Sequence, residues 1–394
     1  MEVRRSVAIP APPGCAIVSV NTAYAQEQGP VLIRHYGELF ASDTISSQYE
    51  VRSGDNGATW SAPRPIHEQE RTRNGTRLWG ESCLFHDDAC NRVLHLYNDQ
   101  LYPAGTYTGE ANRYTRIFMR VLDESGESFG EPVQLIQEGY DATHWARDTE
   151  YGRNSMMISF CAPVRTSEGR VLLPVALLPS TMDFSVKPVL GSHAGCFLGS
   201  WRGERLIWDL SSMITVDPKV STAGLEEPTI AELVDGSLLM VCRAGNRNTP
   251  DVSVHKWRSS STDGGLTWSP AEPLPYDTRE PLFSFASGSV LIRHSRTGKL
   301  YWIGNISPRP TRIEDPRRPL HLAEIDEEKR AVIGRSLQVI DTRREGDSDH
   351  VGLSNFRVYE DRETHDFVLV MPRIRERGEA DITSPAYEYR FAPG

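Results

Sequence analysis

A chain of 394 residues, 39% hydrophobic and 24% charged, can build an ordinary globular core, and no apolar run approaches the length of about 18 residues that a membrane helix needs. Its formal charge of −10 argues against a general nucleic-acid binder, which neutralises phosphates with a net basic face. Neither nucleic acid nor membrane is an expected partner.

The first element is a strand over "EVRRSVAIP". Pro10, Pro12 and Pro13 then break up the apolar stretch a secretory signal requires, so no signal peptide and a cytoplasmic location are expected. "PVLIRHYGELFAS" reads as apolar strand, polar turn and apolar strand, with the turn near residue 37. The same unit recurs in "ESCLFHDDACNRVLHLYND", "ISFCAPVRTSEGRVLLPVAL", "PTIAELVDGSLLMVCR", "SGSVLIRHSRTGKLYWIGN" and "LSNFRVYEDRETHDFVLVMPR", with turns near 89, 168, 236, 297 and 363. Spacings of roughly 50 to 80 residues leave room for four strands per unit. "AYEYRFAP" near the end is a strand able to pair with the first one.

Between these units one motif is written twice. "SGDNGATW" (Ser53 to Trp60) and "STDGGLTW" (Ser261 to Trp268) share S-x-D-x-G-x-T-W, and "DESGESFGEP" keeps Asp123, Gly126, Ser128 and Phe129 as a decayed third copy. A short carboxylate accepts from turn amides, glycine takes positive φ, threonine suits the following strand, and tryptophan supplies an apolar plug. Each copy reads as a hairpin turn with a structural role. The chain is therefore expected to be all-β, a six-bladed β-propeller of four-stranded antiparallel blades forming one domain over 1–394, closed by strands from both termini.

The two intact motifs, the decayed third and "EEPTIAELVDGSLLMVCR" together resemble the sialidase (neuraminidase) superfamily of six-bladed Asp-box (BNR repeat) propellers. The likeness runs over nearly the whole chain. It implies that Asp55 and Asp263 hold outer turns while Trp60 and Trp268 wedge between sheets. It also implies a glycosidase with an arginine cluster on the substrate carboxylate, a tyrosine nucleophile assisted by a glutamate, and an aspartate acid. The superfamily's Arg-Ile-Pro signature is absent from "EQGPVLIRHYG", where Arg34 lies beyond Pro30 and nearer the turn. One member of the arginine cluster is then either missing or supplied from elsewhere, with Arg77 and Arg247 the candidates.

Counting outward from each turn indicates which residues share the opposite end of a hairpin. Glu227 and Pro228 fall opposite Arg243 and Ala244; Trp79 and Glu81 fall opposite Asp99 and Tyr97; Leu353 and Ser354, next to Asn355, fall opposite Arg373 and Pro372. In a propeller these ends converge, so Glu81, Asp99, Glu227, Arg243, Asn305, Asn355 and Arg373 share one expected pocket. Arginine clamps a sugar carboxylate, two carboxyl groups serve as acid and base, and Trp79 can stack on a pyranose face. Glu227 with Arg243 matches the superfamily's fourth-blade pattern; a structural salt bridge is the alternative for this pair.

The insertion "EGYDATHWARDTEYGRNSMM" packs Tyr140, His144 and Arg147 into a stretch with little strand pattern. Arginine neutralising a uronate, histidine abstracting a proton and tyrosine protonating the leaving oxygen would make a lyase. The expected function is hydrolytic release of a terminal acidic sugar, sialic acid or a relative, from a glycan. A uronate-specific lyase and a non-catalytic glycan- or protein-binding propeller are the alternatives. No cofactor is expected, and neither the six cysteines nor the scattered histidines have metal-ligand spacing.

Overall fold

The computed structural model describes residues 1–41, 44–104, 114–160, 162–178, 191–245, 252–311 and 316–394. The strand Val171–Leu178 shows why a ring forms. All eight of its residues are buried, and successive side chains of a strand point to opposite faces. Val171, Leu173, Val175 and Leu177 pack toward one neighbouring sheet, whereas Leu172 packs toward the other. A strand apolar on both faces needs a sheet on each side.

Six antiparallel sheets meet that demand as the blades of a β-propeller. The first contains Ala16–Tyr24, Leu32–Ala41, Thr44–Ser53 and Arg64–Glu68. Gly75–Asp87, Arg92–Pro103, Tyr114–Val121 and Val133–Gln134 make the second, with the short Glu70–Thr72 added at its inner edge. The third runs from Ser155–Met157 through Val171–Leu178 and His193–Arg202 to Arg205–Leu210. Glu226–Glu232, Leu238–Arg243, Trp257–Ser261 and Glu272–Pro273 form the fourth. The fifth is built on Leu300–Ser307 and Leu320–Asp326, flanked by Val290–Arg293 and Gln338–Asp341. In the sixth, Arg357–Glu360, Phe367–Pro372 and Ala386–Phe391 are joined by Arg4–Ile9 from the start of the chain, in register from Arg4 opposite Arg390 to Val7 opposite Tyr387.

Each seam between blades has its own apolar cluster. Leu84 and Val93 meet Ile33 between the first and second blades, Trp145 and Phe197 fill the next seam, and Trp302 lies between the fourth and fifth. The repeated motif plugs these seams from outside. Trp268 packs with Leu172 and Met240 between blades three and four, Trp60 packs against the cluster between blades six and one, and Phe129 does the same between one and two. The carboxylates hold the turns. Asp263 accepts from the Thr267 amide at 2.9 Å and the Ser261 hydroxyl at 2.8 Å. Asp55 accepts from the Thr59 amide at 2.8 Å and hydroxyl at 2.6 Å, and these bonds draw its carboxyl down to about 2.

Five of the six expected turns are where the sequence puts them. The first is not: residue 37 lies inside Leu32–Ala41, where Gly37 pairs with Val18 on one side and Gln48 on the other. Glycine stands there because of close packing, since a Cβ would meet the Ile45 side chain at 2.7 Å. Among the described residues, no helix is long and apolar enough to cross a membrane.

Candidate functional site

The mouth of the ring is built by irregularities in the first strands of the blades. In the fourth blade Glu226 pairs with Arg243, and the ladder slips before Thr229. Glu227 is the extra residue, held in the left-handed region at φ 48°. The first blade slips between Val18 and Asn21, with Ser19 at φ 53°. The second slips between Trp79 and Ser82, which frees Glu81 from the ladder. Phe160 and Asn355, at φ 72° and φ 59°, mark the third and sixth blades. Such conformations cost about 1 kcal/mol or more each for residues with a Cβ, and they cluster where side chains must be aimed.

Glu81, Phe160, Glu227 and Asn355 line a pocket of about 530 Å³. It lies at the ends of the strands opposite the repeated turns: Ser261 pairs with Leu238, at the far end of the fourth-blade hairpin from Arg243. Glu81, Glu226 and Glu227 line it together with Arg243, Arg317 and Arg375. Val18, Leu39, Ile45, Ile374 and Ile382 make an apolar wall on the side of the first and sixth blades.

Arg243 Nη1 donates to Glu227 Oε1 at 2.6 Å, and its Nε lies 3.6 Å from Glu226 Oε2. Glu227 Oε2 is buried and accepts no hydrogen bond from the described residues. Burial pushes the Glu227 carboxyl up, but the charges of Arg243, Arg317 and Lys256 more than offset this and leave it below its ordinary value. Across the pocket, Glu81 is paired with Arg357 and accepts from the Ser19 hydroxyl at 2.7 Å.

Of the residues singled out in the sequence, Glu227, Glu81, Arg243 and Asn355 line this pocket. Asp99, Arg77 and Trp79 reach the right end of their hairpin but the other face of its sheet. Asn98 and Gln100 line the pocket while Asp99, one step along, is buried between Arg77 at 2.6 Å and Arg116 at 2.8 Å. Trp79 stacks on His67 with centroids 4.9 Å apart. Arg373 is fully buried, bound by Asp341, Asp347 and Glu376. Asn305 is buried beneath the rim and donates to the backbone oxygens of Arg317 and Leu353. Arg247 lies outside the described residues.

The insertion sits at the outer edge of the third blade, where Gln137 bridges Trp208. Trp145 anchors it in the core, and Arg147 donates to the carbonyls of Leu210 and Ser211. Tyr140 and His144 are exposed there and do not line the pocket. Counting from turns missed Glu226, Arg317, Arg375 and His350, all of them lining residues. Glu226 was one residue away in the same motif; the other three belong to connections with no strand pattern.

A family model described as a BNR repeat-like domain matches residues 72–346. No curated protein matches the sequence. Among solved structures, a protein of unknown function from Dyadobacter fermentans superposes with a TM-score of 0.65 at 14% identity, covering 98% of both chains. The intramolecular trans-sialidase of Ruminococcus gnavus gives 0.63 at 13%, over 98% of this chain and 96% of that one. The Trypanosoma rangeli sialidase gives 0.60 at 13%, and 99% of this chain spans only 59% of it. At these identities the likeness is one of fold.

Proposed function

Because this chain belongs to the BNR repeat-like family, we propose that it is a carbohydrate-active propeller that binds the carboxylate of an acidic sugar and hydrolyses its glycosidic bond. The observation that carries the reading is Glu227: a carboxylate with one buried oxygen that accepts no hydrogen bond from the described residues, lining a pocket beside Arg243 and Arg317. An unpaired buried acceptor is costly, and a substrate or water proton relieves it.

Arg243 and Arg317 would hold the sugar's carboxylate. Glu227, kept in its charged form by its basic neighbours, would take a proton from water as the water oxygen attacks the anomeric carbon. The glycosidic C–O bond breaks, and the leaving oxygen would take its proton from solvent water, because Glu81 is paired with Arg357. Water serves as nucleophile in this scheme because none of the described lining residues is a tyrosine. Sialidase structures of the same fold favour an acidic glycan as substrate. A lyase reading has one observation in its favour, His350 in the pocket wall.

The test is turnover of fluorogenic α-N-acetylneuraminide and hexuronide substrates by the wild type and by Glu227→Gln. Release of fluorophore by the wild type and its loss in the variant supports hydrolysis. Ultraviolet absorbance from an unsaturated uronate would assign elimination instead, and binding without turnover would make this a glycan-binding propeller.

A further inference from the structure

Lys256 is among the largest fully buried side chains of the protein, and among the described residues its ammonium reaches only backbone carbonyls, Phe285 O at 3.1 Å and Ser287 O. Burying a cation without a bonded carboxylate is expensive. Its surroundings connect it to the pocket. The Ser287 hydroxyl donates to Asn305 Oδ1 at 2.8 Å. The Asn305 amide donates in turn to Arg317 O at 3.0 Å and to Leu353 O at 3.1 Å. The Leu353 amide closes the loop on Arg317 O at 3.0 Å, and Arg317 Nη1 lies 3.4 Å from the Ser354 hydroxyl. Lys256, Ser287 and Asn305 are all buried, whereas Arg317 and Ser354 line the pocket.

We propose that Lys256 is a positioning residue of the pocket: it pins the Phe285–Ser287 segment, whose Ser287 hydroxyl orients Asn305, which fixes Arg317 for carboxylate recognition. The fourth, fifth and sixth blades each contribute a link, so the chain sets the distance between Arg243 on one blade and Arg317 on another. A bidentate or bridging grip on a carboxylate depends on that distance. The ammonium's environment fits a group retained for something other than stability. Burial pulls it down to about 7; Glu227 favours its charge, Arg243 and Arg317 oppose it, and Cys242 adds a small favourable contribution.

This inference rests on the reading of the pocket as a carboxylate site, and the experiment separates the two. Calorimetry would measure N-acetylneuraminate and galacturonate, each against its methyl ester, on the wild type, Lys256→Met and Ser287→Ala. The wild type should prefer the free acids. Lys256→Met should weaken their binding about tenfold or more while the esters change less than about twofold, and Ser287→Ala should move the same way by a smaller factor. A purely structural lysine would lower the melting temperature and leave the acid-to-ester ratio unchanged. An unchanged ratio in both variants overturns the inference, and if Lys256→Met does not fold, Ser287→Ala decides alone. A wild type with no preference for the acid overturns the carboxylate reading, and this inference with it.

Discussion

Glu227 combines three features that stability alone would select against: a left-handed backbone, a mostly buried carboxylate, and an oxygen without a donor among the described residues. The basic groups around it leave the carboxyl below its ordinary value. If Glu227 acts as a base, its charged form is required, so activity should persist until the pH falls through this lowered value. The acid limb of kcat/KM should then lie below the usual glutamate range, and Glu227→Gln should cut kcat by about a hundredfold or more with the fold intact. Circular dichroism alongside the pH profile checks both parts. Arg243→Lys should already weaken substrate binding, because a point charge does not reproduce a two-pronged grip; a structural salt bridge would instead give reduced stability with catalysis per folded molecule nearly unchanged.

At the scale of the element, the repeated turn and the hairpin mouth divide the work of a blade between its two ends. Asp263 accepts from its own turn at the end away from the pocket. Asp263→Ala should therefore lower stability by about 1 kcal/mol while activity per folded molecule survives, as thermal melts and an active-site-normalised rate would reveal. This division was readable in the sequence, because the motif's residue types state the turn they make. Strand alternation and bulges were harder to read. Counting from turns brought Trp79 opposite Asp99, as observed, yet nothing in the count says which face of the sheet looks inward. One extra residue in the ladder exchanges Glu226 for Glu227 opposite Arg243. Arg317 was missed for another reason: it is held by Asn305 and Leu353, distant contacts that leave no local pattern.

At the scale of the whole molecule, stability resides in six seams and one closure, and the seam between the first two blades carries a titratable burden. His35, His67 and His95 are buried there, with His35 and His95 centroids 4.4 Å apart and one ring nitrogen of each lacking a partner among the described residues. Burial lowers all three, bringing His67 to about 3, although Glu50 at 3.0 Å favours the charged form of His35. The unfolded chain binds protons below the ordinary histidine value while the folded one does not. Stability should therefore be full above that value and fall as the pH drops from there toward about 3, by at most about 1.4 kcal/mol per pH unit for each histidine. Melting temperatures over this window, with His67→Phe giving a shallower slope, check the sign.

The same assembly that buries the seams brings Glu81 of the second blade, Glu226, Glu227 and Arg243 of the fourth, and Arg317 of the fifth to one pocket, and the central claim is that this pocket receives an acidic sugar. A crystal structure of the wild type soaked with N-acetylneuraminate or galacturonate tests it most directly. The sugar carboxylate should lie within about 3 Å of the Arg243 or Arg317 guanidinium, with the anomeric carbon on the side of Glu227. A sugar bound at the outer edge near Tyr140 and His144, or one with its carboxylate turned away from both arginines, would contradict it.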